Sequence, residues 1–242
     1  MNSRITGRYF FPLILVLIGG CDSDATSSDL FPAIEGMVWH YDATFQAGRK
    51  LNRHKIIVTN LGYIMLEDGT QAFARKYHND DVAYYKKNEK GIFRIGYQKA
   101  GKNLSRDTEN HFVLRFPVKT GIKWVLTSKP FFLEKSVREI NAGQASLSGD
   151  LSLHPLKVSN EITSTNETVR TPAGSFSNCI RVDGSGKTTG TGSEIGKVNV
   201  EVRQTDWYAP GIGLIKSTRK ETTNLKWARS STFSMELEKY YH

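Results

Sequence analysis

Apolar and polar side chains alternate along much of the chain. Trp39, Tyr41, Ala43 and Phe45 alternate with Val38, His40, Asp42 and Thr44. Phe93, Ile95 and Tyr97 do so within 92–97, Val198, Val200 and Val202 within 198–203, and Phe233, Met235 and Leu237 within 233–238. A period of two marks half-buried strands with one wet face. Turn residues fall between the runs at Asn60-Leu61-Gly62, Glu67-Asp68-Gly69, Asn88-Glu89-Lys90-Gly91, Asp183-Gly184 and Pro210-Gly211. Such short connections suit antiparallel hairpins, because parallel strands need long crossovers. The expected fold is all-β and mostly antiparallel: a single strongly curved sheet or half-open β-barrel with little helix. The one stretch that also fits a helix face is 131–141, through Leu133, Val137 and Ile140.

An internal echo divides the chain. Phe31-Pro32, Gly36 and Trp39 recur at the same spacing as Phe116-Pro117, Gly121 and Trp124. Proline suits a strand entrance, glycine permits a turn with positive φ, and tryptophan starts a strand while burying a large area. Each copy is expected to open a meander. Segments 31–115 and 116–242 then read as related halves of one β domain, 31–242.

The first residues have another character. Arg4 and Arg8 precede an apolar run from Tyr9 to Ile18, followed by Gly19-Gly20-Cys21. A basic start, a short apolar core and small residues at its end are the layout of an export signal. The run is shorter than the roughly 20 residues a spanning helix needs. Leu17-Ile18-Gly19-Gly20-Cys21 resembles the lipobox of bacterial lipoproteins. That resemblance implies a signal peptide at 1–20, cleavage before Cys21 and lipidation of its thiol, with 21–30 as a polar tether. Acyl chains hold such a chain to a membrane at about 0.8 kcal/mol per buried CH₂. Asp22 resembles the residue that retains lipoproteins at the inner membrane of enteric bacteria, so the inner membrane is favoured over the outer.

Charge and cysteine usage sharpen this picture. The formal charge of +9 becomes +7 once Arg4 and Arg8 are removed with the signal. Much of the excess lies in 86–106, where Lys86, Lys87, Lys90, Lys99 and Lys102, with Arg94 and Arg106, face Glu89 alone. This run is a candidate patch for anionic phospholipid, each cation near a membrane surface contributing roughly 1 kcal/mol; solvated strand faces are the plainer reading. With Cys21 lipidated, Cys179 has no disulfide partner and is expected to be a buried small residue. Nucleic acid is a poor partner for an exported chain.

The most distinctive text is Thr171-Pro172-Ala173-Gly174-Ser175-Phe176 and Tyr208-Ala209-Pro210-Gly211-Ile212-Gly213-Leu214-Ile215-Lys216. With Phe116-Pro117, Gly121 and Trp124, it resembles a widespread group of uncharacterised bacterial envelope lipoproteins. The resemblance covers roughly 116–220, with mild departures at Val118 and Ser175. It implies a strongly curved antiparallel sheet, loosely similar to the lipoprotein-localisation-factor architecture, and carries over no catalytic residue. Pro172, Gly174, Pro210, Gly211 and Gly213 read as turn formers. Phe176, Ile180 and Val182 are expected to share one strand face, with Cys179 on the other.

No motif for chemistry stands. Gly184-Ser185-Gly186-Lys187-Thr188-Thr189 looks like the tail of a phosphate loop, but the required leading glycine is Arg181 and no helix pattern follows. A glycine-rich hairpin loop is the expectation there. No histidine pair has metal-ligand spacing, Gly-x-Ser-x-Gly is absent, and nothing calls for a cofactor. The expected role is a non-catalytic binding or accessory module, with an apolar ligand such as an acyl chain as candidate cargo. The alternatives are a structural partner of an envelope protein complex and a hydrolase of an envelope polymer.

Overall fold

The structure is a computed structural model that describes residues 30–130, 151–192, 196–228 and 230–242. Thirteen strands account for most of them: β1 Val38–Ala47, β2 Lys50–Met65, β3 Gln71–Tyr77, β4 Val82–Asn88, β5 Gly91–Gln98, β6 Ser105–Arg115, β7 Lys123–Ser128, β8 Ser152–Leu153, β9 Leu156–Thr171, β10 Gly174–Gly192, β11 Gly196–Ala209, β12 Gly213–Thr223 and β13 Ser230–Tyr241. The helical content among the described residues is a 3-10 turn at Lys226–Ala228. The stretch 131–141, which fits a helix face, lies outside the described residues.

All pairings are antiparallel within one sheet, in the order β6-β5-β4-β3-β2-β1-β13-β12-β11-β10-β9-β7, with β8 beside β10. The chain's first and last strands, β1 and β13, pair at the centre, and β6 and β7 form the two edges. In such a meander, alternate turns fall at opposite ends of the sheet. The β4–β5, β9–β10 and β11–β12 turns lie at what we call the upper end; the β3–β4, β5–β6 and β10–β11 turns lie at the lower end.

The sheet curls on itself without closing into a barrel. One apolar cluster joins Phe73 of β3, Tyr85 of β4, Leu114 of β6, Trp124 of β7, Ile162 of β9 and Tyr208 of β11, strands far apart in the order. They can share a core only if their common face is concave. The expected alternation produces this face: in β1 each of Trp39, Tyr41, Ala43 and Phe45 is buried, and in β11 so are Val198, Val200 and Val202. Across β3 and β4 burial is continuous instead, because Ala72, Ala74 and Tyr84 on the second face are covered by Ile64, Leu66 and Leu104.

Three local readings are corrected. Asn60-Leu61-Gly62 is a bulge inside β2 rather than a turn, with Gly62 at φ 71°. Asp183-Gly184 and the run to Thr189 are not loop but the middle of the 19-residue β10. The glycines are there because β9 approaches closely: a Cβ on Gly186 would stand 2.4 Å from the carbonyl oxygen of Lys157. Finally, Phe176 does not share a face with Ile180 and Val182. Irregular pairing around Asn178, at φ 54°, inserts one extra residue before Cys179. A bulge reverses which face the following residues occupy. Phe176 therefore lies with Cys179 and Val169, while Ile180 and Val182 join the concave core.

The glycine turn of the repeated motif has the same geometry twice, although Phe116-Pro117 is cis and Phe31-Pro32 is not. Met37 N donates to Ile34 O and Ile122 N to Lys119 O, closing turns with Gly36 at φ 80° and Gly121 at φ 88°. That is the third position of a type II turn, where glycine fits. Gly36 N then donates to Asn60 O and Gly121 N to Ile162 O, docking each turn on the strand that its tryptophan strand pairs with.

Candidate functional site

The concave face is the place where this fold can hold something. At its upper end it is filled by the chain's own first described residues. Leu30, Phe31 and Met37 are buried, and the Phe31 ring lies 5.9 Å from Phe73 and 5.1 Å from Tyr85. Beneath them is Arg75, buried between Phe73 and the half-buried Tyr77 on alternate positions of β3. Its guanidinium stands 3.5 Å from the Phe31 ring centroid and 4.5 Å from that of Trp39. Arg75 Nη2 donates to Pro32 O at 3.1 Å, and Asn60 Nδ2 donates to the same oxygen at 2.9 Å. Arg75 Nε has no partner. Burial pushes the Arg75 pKa down, opposed by Tyr85, Tyr41, Tyr77 and Tyr208 around it. A buried cation held by rings and a carbonyl fastens the entering chain to the sheet.

The two motif tryptophans tie the face together. Trp39 Nε1 donates to Ile212 O at 2.8 Å, and Tyr41 hydroxyl to Leu214 O at 2.8 Å, so β1 grips the Pro210-Gly211 turn and the start of β12 at Gly213. Trp124 Nε1 donates to Phe112 O at 3.1 Å across the two free edges. Thr127 Oγ1 donates to Glu109 Oε2 there at 3.3 Å. No backbone ladder joins β6 to β7 among the described residues. The edges thus meet at a seam held by side chains, behind which lie Phe112, Leu114, Ile122 and Trp124.

Towards the lower end the same face turns polar. Arg219 Nε and Nη2 bond Glu221 Oε1 at 2.9 and 2.8 Å, Nη2 also reaches Lys129 O at 2.9 Å, and Nη1 reaches Gln204 Oε1 at 3.3 Å. Gln204 Nε2 donates to Asp206 at 3.0 Å. Burial pushes the Asp206 carboxyl up to about 6, against hydrogen bonds from Ser217 and Gln204 and the charge of Arg219. Around it stand the Gln204 amide, the Ser217 hydroxyl and the Arg219 guanidinium engaged by Glu221, with the Asp183 carboxylate close enough to raise it further; the hydrogen bonds make this network a polar brace. Among the described residues no three His, Cys, Asp or Glu side chains group closely enough to hold a metal.

The residues singled out in the sequence are placed as follows. Cys21 and Asp22 lie outside the described residues. Pro172 and Gly174 form the β9–β10 tip, where Ala173 N donates to Leu237 O at 3.0 Å and Phe176 meets Tyr240. Cys179 is buried, and burial pushes its thiol up to about 11. The basic run is split. Lys86, Lys87 and Lys90 sit on the β4–β5 hairpin at the upper end, whereas Lys99 and Lys102 lie between β5 and β6 at the lower end. The eight residues of β5 separate the two groups by roughly 26 Å. Arg75, Asp206, Arg219 and Glu221 were not singled out. The signal for Arg75 was its parity with Phe73 and Tyr77, which puts it on the buried face.

Comparison with known proteins finds a family model described as DUF3108-like, which matches residues 134–230. No curated protein matches. The chain is similar to a solved protein from Bacteroides fragilis described as exported with a YmcC-like fold, at 18% identity over 88% of this chain and 99% of that one, TM-score 0.38. It is also similar to one from Parabacteroides distasonis described as a lipoprotein, at 17% identity over 88% and 98%, TM-score 0.37. A LolA superfamily protein from Nitrosomonas europaea shows 10% identity over 90% and 89%, TM-score 0.21.

Proposed function

We propose that this chain is an exported lipoprotein, anchored through Cys21 and facing the periplasm, whose curled sheet is a non-catalytic module that receives an apolar ligand. The observation that carries the ligand reading is the seam. The apolar side chains of Phe112, Leu114, Ile122 and Trp124 lie behind an edge-to-edge contact made by side-chain bonds. Such bonds contribute only about 0.5–1.5 kcal/mol each. Among the described residues, parting the seam breaks no β-ladder, and it exposes a face suited to an acyl chain. The anchor reading rests on the export signal, on Leu17-Ile18-Gly19-Gly20-Cys21 and on the polar tether that precedes Leu30.

Native mass spectrometry of residues 24–242 purified gently from a bacterial periplasm tests the ligand. A bound mass that leaves on denaturation and proves to be lipid is expected; a bare chain contradicts the reading. Membrane fractionation of the full chain tests the anchor and its sorting by Asp22, with the inner membrane as the expected fraction. A second reading, a docking module for an envelope protein complex, is favoured by Tyr63 and Val125, 60% and 58% exposed. Crosslinking in cells would then recover a protein partner while the purified chain stays free of lipid.

A further inference from the structure

The lipid-anchor reading says that the chain is tied to a membrane but not how it sits there. We propose that the upper end of the sheet rests on an anionic phospholipid surface, with the groove between Tyr63 and Phe116 taking headgroups and Lys86, Lys87 and Lys90 meeting their phosphates.

The tether leaves the fold at this end. Phe31 packs on Phe73 and Tyr85, Tyr63 lies edge-on to Phe73 at 5.8 Å, and Lys87 is two residues beyond Tyr85 on β4. Leu30 lies nine residues after Cys21. Fully extended they span at most roughly 30 Å, so the end carrying Leu30 cannot stray far from the bilayer. The groove itself has a volume of about 600 Å³ and is lined by Tyr63, Lys87, Asn88, Glu89, Phe116 and Pro117. Its make-up is that of a membrane interface. Tyr63 is 60% exposed, and tyrosine is enriched at headgroup depth. Lys87 Nζ stands 6.0 Å from the Phe116 ring centroid. Lys86 and Lys90 flank it on the same exposed hairpin. Glu89, which also lines the groove, offsets one of the three cations.

The proposal assigns opposite roles to the two halves of the basic run. A membrane's surface potential falls off within a Debye length, about 8 Å at physiological salt. Lys99 and Lys102, roughly 26 Å away along β5, are outside that field when the upper end is down.

The test uses the mature chain from residue 21 carrying Cys21→Ser, so that no acyl group contributes. Binding is measured by co-sedimentation with vesicles of three parts phosphatidylcholine to one part phosphatidylglycerol. Reversing Lys86, Lys87 and Lys90 to Glu is expected to weaken binding by on the order of a hundredfold. Lys99→Glu with Lys102→Glu should change it less than about twofold, and Tyr63→Ala should weaken it several-fold. All these positions are exposed, and circular dichroism checks that the variants fold. Equal losses from both ends of β5, or no binding by the unsubstituted chain, would overturn the proposal. The anchor is read separately, from the mass of the Cys21 peptide of the full chain made in bacteria, so the two readings fail independently.

Discussion

At the scale of single residues, the concave face holds groups whose electrostatics decide their effect. Arg75 loses several kcal/mol of hydration on burial. Against this stand two desolvated ring contacts at up to about 2 kcal/mol each and a charge-assisted bond to Pro32 O at about 1.5–3 kcal/mol. These nearly cancel. Arg75→Met, which keeps the length and removes the charge, should therefore shift the unfolding free energy by no more than about 1 kcal/mol. Arg75→Ala leaves a void and should cost about 2–5 kcal/mol. Urea denaturation separates the two; a large loss for the methionine variant would mean that the cation itself holds the entering chain.

Asp206 gives a pH signature. Its folded pKa of about 6 lies above the unfolded value near 3.9, so the folded chain holds the proton more tightly. Stability from this group is present at low pH and lost as pH rises from about 4 through 6. Asp206→Asn should raise the thermal midpoint at pH 7.5, and the gain should vanish below about pH 4. A gain independent of pH would show that charge is not its cause. Cys179 is buried with its thiol pushed up to about 11, and it should resist maleimide in the native chain at pH 7.5 and react only on unfolding.

At the scale of elements, period-two alternation was legible wherever one face is wet. Trp39 to Phe45 and Val198 to Val202 could be assigned directly, because burial there follows parity. Reading failed where side-chain chemistry mimics a turn. In Gly184–Gly190 glycine serves close strand approach, and no local signal distinguishes that from a loop, since the causes, Asn160, Lys157 and Ser152, lie on other strands. The bulge at Asn178 was hidden for a similar reason: parity counts cannot register inserted residues. The strand reading is testable. Gly186→Ala drives a Cβ into backbone and should cost about 1–3 kcal/mol. A glycine-rich loop would accept the same change with little loss in urea denaturation.

At the scale of the molecule, the two copies of the Phe-Pro, Gly and Trp motif open two runs of strands, beginning at Trp39 and Trp124, and both runs contribute to one concave face. We read them as related meanders, which places the seam where the first ends and the second begins, between β6 and β7. Nothing in the sequence marks a seam as such: edges exist only once the sheet has curled and β1 has paired with β13. The basic run likewise looked continuous along the chain and becomes two patches because β5 runs from one end of the sheet to the other.

The central claim is that an apolar ligand enters by this seam, and locking the seam tests it most directly. Glu109→Cys with Thr127→Cys puts two thiols on facing positions of the seam, which a short bis-thiosulfonate reagent bridges through disulfides, because cysteine is shorter than the glutamate that makes the contact. In the Cys21→Ser mature chain only the buried Cys179 remains besides. Uptake of a fluorescent fatty acid should occur in the free protein, disappear when the pair is bridged, and return on reduction. Equal uptake by the bridged and reduced forms, or none by the unsubstituted chain, would contradict the account.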